Sequence, residues 1–288
     1  MAKADFDELS GTETTGHEWD GIKELNTPLP RWWLWTFYAT VIWAFGYMIA
    51  YPAIPLITSY TKGMLGYSSR AELASEVAVA KEGQNKFLDK MSTMSLDDIR
   101  GDQELFQFAV AGGKSAYVVN CVQCHGSGAQ GGGGYPNLND DDWIWGGTLE
   151  DILTTLKHGI RYGGDDDTRV SEMPAFGDGV LEPAQISATT EFVLKLSGQE
   201  HDAAKAEEGV AVYAENCASC HGDEGKGDRE QGAPDLTDKI WLYGGDRASI
   251  AKQIRVPSHG VMPGWHERLD ENTIKQLAIY VHSLGGGE

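Results

Sequence analysis

Cysteine is scarce in this 288-residue chain, four in all, and none stands alone: they are Cys121, Cys124, Cys217 and Cys220. Because all four belong to two short motifs, no thiol is left for a structural disulfide. Basic residues are also few, 23 Lys and Arg against 43 Asp and Glu, and most of the net charge of −20 falls beyond residue 70. That balance excludes nucleic acid as a partner. Long apolar runs are missing except for one, residues 32–60, which carries no charged side chain between Arg31 and Lys62. The chain therefore has material for one membrane crossing and not for several.

What is present occurs twice. Cys121-Val122-Gln123-Cys124-His125 and Cys217-Ala218-Ser219-Cys220-His221 are Cys-x-x-Cys-His pentads, the pattern of covalent c-type haem attachment. The two thiols of each add to the porphyrin vinyl groups and the adjacent imidazole becomes an axial ligand of the iron. A lone Cys-x-x-Cys would equally suit a redox pair or half a zinc site, but neither requires the following histidine. Two covalently bound haem c groups are expected, held by Cys121 and Cys124 with His125, and by Cys217 and Cys220 with His221.

The pentads sit in a longer repeat. Gly113-x3-Tyr117-x3-Cys121 matches Gly209-x3-Tyr213-x3-Cys217. Pro136-Asn137-Leu138, Trp143 and Gly146-Gly147 are echoed by Pro234-Asp235-Leu236, Trp241 and Gly244-Gly245. Each copy reaches a Met-Pro pair, Met173-Pro174 and Met262-Pro263, then an apolar segment in which Ile186, Phe192, Val193 and Leu196 correspond to Ile274, Tyr280, Val281 and Leu284. Their spacing suits one helical face. A thioether opposite histidine fills the sixth position of the iron and raises its potential, which favours electron transfer over oxygen or peroxide chemistry. Met173 and Met262 are the expected sixth ligands, on loops stiffened by the following proline. Met48, Met64, Met91 and Met94 precede both pentads and read as packing residues. His158 and His259 read as surface or loop residues, and Asp165-Asp166-Asp167 as a solvated loop. Trp143, Trp241 and Arg161 carry N–H donors suited to haem propionates.

The order of each repeat resembles the class I cytochrome c fold: a helix leading into the haem motif, loops around the cofactor, a distal methionine and a closing helix. The resemblance implies that Gly113 and Gly209 allow the first helix of each domain to approach the last, with Tyr117 and Tyr213 packed nearby.

Trp32 to Tyr51 supplies the roughly 20 apolar residues of a bilayer-spanning helix before Pro52 and Pro55 interrupt it. Trp32, Trp33, Trp35 and Tyr51 suit the two interfaces. A cleaved signal peptide fits poorly, because a long acidic segment precedes the run and no small-residue cleavage site follows it. Lys23 and Arg31 balance Lys62 and Arg70, so charge gives no orientation. Haem c is attached after export, which puts residues from about 62 onward in the bacterial periplasm and the N-terminus in the cytoplasm. In the stretch that follows, Ser69 is expected to cap a helix from Arg70 whose Leu73, Val77 and Val79 face a partner, and Ser95 and Asp102 mark further helix starts.

The fold class expected is mainly α, with one N-terminal transmembrane helix followed by two tandem class I cytochrome c domains. The organisation is a cytoplasmic segment at 1–31, an anchor at 32–60, a periplasmic helical linker at 61–103, a first cytochrome c domain at 104–198 and a second at 199–288.

The string from Gly16 to Trp33, containing His17-Glu18-Trp19-Asp20-Gly21 and Asn26-Thr27-Pro28-Leu29-Pro30-Arg31-Trp32-Trp33, resembles the approach to the membrane in the dihaem subunit of cbb3-type cytochrome c oxidases, CcoP or FixP. So does Tyr51-Pro52 after the span, and the likeness covers nearly the whole chain in its single-span form. The resemblance implies an electron-transfer subunit of a proton-translocating terminal oxidase in the bacterial inner membrane. Its implied partners are a catalytic haem-copper subunit that reduces oxygen to water, a monohaem c-type subunit, and a soluble or membrane-anchored cytochrome c donor. This chain carries no oxygen-reducing site of its own. Two other readings share the haem chemistry: a membrane-anchored dihaem subunit of a periplasmic dehydrogenase, and a dihaem peroxidase, which would require an open sixth position. The acidic surface would steer a basic donor.

Overall fold

The computed structural model describes residues 5–288, so residues 1–4 of the N-terminal segment lie outside it. The chain divides into two units, residues 1–83 and 84–288. The first holds a feature the sequence reading did not anticipate, an antiparallel sheet of β1 (Phe6–Asp7), β2 (Thr12–Trp19) and β3 (Ile22–Leu25) in the order β1-β2-β3. Asp20 and Gly21 connect Trp19 to Ile22, and both have positive φ, 50° and 86°. A two-residue loop of this handedness matches the twist of the strands it joins, which is why Asp-Gly suits it. The register slips between Thr14 and Glu18, where Gly16 takes a φ of 81°.

The apolar run forms α1 (Arg31–Ala50), with no side chain buried within the protein. Pro52 stops it one residue beyond Tyr51. The chain then turns back, and the N–H groups of Met64 and Leu65 donate to the carbonyls of Ile49 and Ala50 at 2.9 and 3.0 Å, satisfying the helix end. Gly63 (φ 70°) makes this possible, because a methyl there would overlap the Ala50 carbonyl.

Helix α2 (Ser69–Thr93) begins one residue earlier than expected, since the preceding Ser68 supplies the oxygen that faces the Ala71 N–H at 3.4 Å. Leu73, Val77 and Val79 are exposed on it. Ser95 and Asp102 cap α3 (Leu96–Gly101) and α4 (Gln103–Asn120) as expected. There follow α5 (Val122–His125), α6 (Leu149–His158), α7 (Pro183–Leu196), α8 (Ala203–Asn216), α9 (Ala218–His221), α10 (Arg247–Arg255) and α11 (Glu271–His282).

Within residues 84–288 the helices do not pair by repeat. α11 lies against α4 and α6, and α7 lies against α8 and α10. One core joins Leu105, Tyr117, Cys121, Ile152 and Leu156 to Ile274, Leu277 and Ile279 from the far end of the chain. The other joins Phe176, Ile186 and Val193 to Ile250 and Ile254, while Phe192 meets Tyr213 with tilted rings 5.0 Å apart. The expected boundary between 104–198 and 199–288 cuts across both cores. The physical reason lies in the connection: only residues 197–202 separate α7 from α8, and a loop that short makes consecutive helices antiparallel neighbours. The segment from about Met173 to Val256 therefore forms one packed body, inserted into another made from residues on either side of it.

The glycine expectation holds with exchanged partners. A methyl on Gly113 would strike the Gln276 carbonyl and the Tyr280 side chain, both on α11, while one on Gly209 would strike the Ala188 carbonyl on α7. Lys275 of α11, only 8 % exposed, donates through Nζ to the carbonyls of Met91, Ser92 and Met94 at 2.9, 3.3 and 3.2 Å. A buried ammonium needs such acceptors, and carbonyls at the end of α2 provide them with a favourable dipole.

Candidate functional site

Each pentad is set by the end of a helix. The N–H groups of Cys121 and His125 donate to Tyr117 O and Cys121 O at 2.8 and 2.9 Å, so α4 runs into the single turn of α5 almost without a break. Gly126 (φ 80°) ends that turn, and its carbonyl accepts the Tyr117 hydroxyl at 2.8 Å. The second copy repeats this with Cys217, His221 and Gly222 (φ 76°), whose carbonyl accepts the Tyr213 hydroxyl at 2.8 Å. Burial pushes both phenols up to about 12.

The histidines are oriented by a repeated device. Nδ1 of His125 lies 3.1 Å from the Pro136 carbonyl and Nδ1 of His221 lies 3.1 Å from the Pro234 carbonyl. A carbonyl can only accept, so Nδ1 carries the proton and Nε2 keeps its lone pair for a metal. Burial pushes both imidazoles below the usual histidine range, while the proline carbonyls pull the other way. The repeated Pro-Asn/Asp-Leu triplets were legible in the sequence; their service to the histidines was not.

Cys121 and Cys217 are buried, Cys124 and Cys220 exposed, and none of the four forms a disulfide. Burial raises the Cys121 and Cys217 thiols to about 11, with their pentad partners adding to the rise. One buried and one exposed thiol per pentad, beside an imidazole whose Nε2 is left free, fit a covalently attached haem.

The methionines fall in opposite cores. Met262 packs on the core that contains Tyr117 and Cys121, and its N–H and C=O pair with Ile160 at 3.0 and 2.9 Å. Met173 packs on the core that contains Ile186 and Ile250, alongside Leu236 and Trp241. Leu236 also lies against Tyr213 and Cys217. Met262 thus shares a core with Cys121, and Met173 is linked to Cys217 through Leu236.

Other expected residues fall elsewhere. The Trp143 indole N–H donates to the Gly286 carbonyl, tying the first site to the chain's last residues. Trp241 packs in the second core, and the Arg161 guanidinium donates to backbone carbonyls. Asp165 is not solvated: its side chain is 7 % exposed, with His158 Nδ1 at 2.9 Å and His266 Nδ1 at 3.3 Å. Of the four methionines read as packing residues, Met91 is fully buried, whereas Met64 is 83 % exposed. Glu191, unremarked in the sequence, is buried on α7. It accepts from Arg247 Nε at 2.6 Å and from the Asp202 N–H at 2.8 Å, and the Arg247 guanidinium holds its carboxyl below the usual range.

Where the two bodies meet, burial first and then the like charges of Asp238, Asp140 and Asp235 push the half-buried Asp142 carboxyl up to about 6. A carboxyl whose folded pKa is raised binds its proton more tightly than in the unfolded chain, so the folded state loses stability as pH rises from about 4 through 6. Asp142→Asn should remove that loss and stabilise the protein at pH 7 by about 1 kcal/mol, the shift being discounted for solvent screening. Thermal unfolding at pH 4.5 and 7 checks this; an unchanged pH dependence in the variant would show that Asp142 titrates alike in both states.

The family described as the N-terminal domain of cytochrome oxidase-cbb3, FixP, matches residues 11–58, which include β2, β3 and α1. The family described as cytochrome c oxidase, cbb3-type, subunit III matches residues 108–193 and again 204–281. The chain is 55 % identical over 287 residues to the cbb3-type cytochrome c oxidase subunit FixPc of Rhizobium leguminosarum, covering all of both chains. It is 55 % identical to subunit FixP of Rhizobium meliloti, covering 98 % of this chain and 97 % of that one. With subunit CcoP of Cereibacter sphaeroides it shares 53 % identity over 96 % of this chain and 95 % of the other.

Proposed function

Because this chain belongs to the FixP/CcoP family of cbb3-type cytochrome c oxidase subunits, we propose that it carries electrons through two c-type haems, each held by a histidine and a methionine from different halves of the sequence. It is an electron-transfer subunit of the oxidase and not its oxygen-reducing site. A periplasmic dehydrogenase partner or a peroxidase activity is not favoured, since the match with the oxidase family begins in the N-terminal sheet and runs through both haem repeats.

What supports the reading is that Met262 packs on the core holding Cys121, and that Leu236 joins the core of Met173 to that of Cys217. His125 and Met262 would hold the iron of the haem bound at Cys121 and Cys124; His221 and Met173 would hold the other. Haem c supplies reversible one-electron chemistry when bound. The chain's part would be to fix the imidazole tautomers through Pro136 and Pro234 and to supply a methionine sulfur as the second protein ligand. An iron so held would keep no position for a substrate, which suits a carrier.

Helix α1 anchors the chain in the bacterial inner membrane, with the N-terminus cytoplasmic and the haem-bearing residues periplasmic, as haem c attachment requires. The partners are the catalytic haem-copper subunit, the monohaem c-type subunit and a cytochrome c donor. Purification of the chain in mild detergent from its host tests the whole reading. It should carry two haem c per polypeptide by alkaline pyridine spectroscopy, and b-type haem and copper should copurify. One haem per chain, or copurification with a dehydrogenase instead, would overturn it.

A further inference from the structure

The two bodies of residues 84–288 are threaded together at one place. The chain leaves the first body at Gly159 and returns at Met262, and Ile160 pairs with Met262 there. Arg161 follows directly, with a φ of 52°, a conformation that a residue with a side chain adopts only when its surroundings hold it. Its own N–H donates to Arg169 O at 2.8 Å.

The side chain does something no other residue of the site does. Nε donates to the Gly260 carbonyl at 2.7 Å, and Nη1 donates to the Ser171 carbonyl at 2.9 Å. Gly260 stands two residues before Met262, and Ser171 stands two residues before Met173. One guanidinium therefore grips both methionine loops at equivalent points. Bonds from a charged donor are roughly twice as strong as neutral ones, and the planar fork fixes direction as well as distance. The repeat supplies no duplicate: with the helix caps Thr148 and Asp246 aligned, the place matching Arg161 is His259.

We propose that Arg161 is a positioning residue for both axial sulfurs, a single bridge that sets the reach of Met173 and Met262 together and so links the ligand fields of the two haems. This rests on the ligand assignment made above. The role differs from a propionate donor, because two of the three guanidinium nitrogens are committed to backbone carbonyls of the ligand loops. A thioether held firmly on the iron keeps the potential high, and one held loosely lets it fall. Because the bridge is shared, loosening it acts on both sites at once.

The test uses the full chain purified with its oxidase partners. Arg161→Lys keeps the charge and loses the fork; Arg161→Gln loses both. In each, the charge-transfer band from methionine sulfur to ferric iron should weaken at both haems and both midpoint potentials should shift downward, with haem content unchanged. Met173→Ala and Met262→Ala, measured alongside, should each abolish one haem's share of the band. If the methionine variants behave so but the Arg161 variants move neither haem, or only one, the bridge is refuted and the ligand assignment stands. If the methionine variants change nothing, the assignment fails and the bridge falls with it. Loss of haem from the Lys variant would also count against the proposal, since a bridge between loops predicts a folded protein with looser ligands.

Discussion

Met173→Ala should alter the haem bound at Cys217 and Cys220 and leave the haem at Cys121 and Cys124 unchanged, although Met173 lies in the same sequence repeat as the latter. Removing the thioether vacates the sixth position, so half of the total haem should gain carbon monoxide binding and fall in potential. Met262→Ala should do the same to the other half. The assignment can be read in a background where Cys217 and Cys220 are both serine. There Met173→Ala has nothing left to act on, while Met262→Ala still opens the remaining haem. Should Met173→Ala open the haem at His125 in that background, the exchanged pairing is wrong and each repeat ligates its own iron.

A second large effect concerns α11. Ending the chain after Leu269 should destroy the site at Cys121, 148 positions before the cut, and spare the site at Cys217. α11 buries Ile274, Leu277, Ile279 and Val281 against α4 and α6. At about 1.5–3 kcal/mol for each buried aliphatic side chain, they contribute on the order of 6–12 kcal/mol, comparable with the whole stability of a domain. The second body keeps α7, α8 and α10 and loses none of its core. Haem retained per polypeptide, with peptide mapping of the attached haem, distinguishes the outcomes. A truncated chain that keeps the upstream haem and loses the downstream one would restore the contiguous boundary near residue 198.

Much of this was legible in the sequence because it depends on local chemistry. The Gly-x3-Tyr spacing, the caps at Ser95 and Asp102 and the apolar helix that stops before Pro52 each act within a few residues, and the structure places them accordingly. The sheet was not legible despite the Asp20-Gly21 hairpin turn, because β2 and β3 are mostly polar and show no apolar alternation. The exchange of helices was not legible from the repeat, because matched composition says which helices are alike and not which are adjacent. Ile186 and Ile274 offer the same apolar face, and either could cover α4. The signal that distinguishes them is the brevity of residues 197–202, a constraint on reach rather than on residue type. Asp165 reads as solvated in the sequence because its partners lie outside its loop, His158 at the end of α6 and His266 in the segment before α11.

The insertion of one body within the other also fixes an order in time. In a chain made from its N-terminus Cys121 comes first, yet α11, the helix that shelters it, is nearly the last to emerge. The downstream site, bounded by about Met173 and Val256, has all its walls before the upstream one does. A haem held at Cys121 and Cys124 would therefore gain its last wall, α11, only when the far end of the chain is in place.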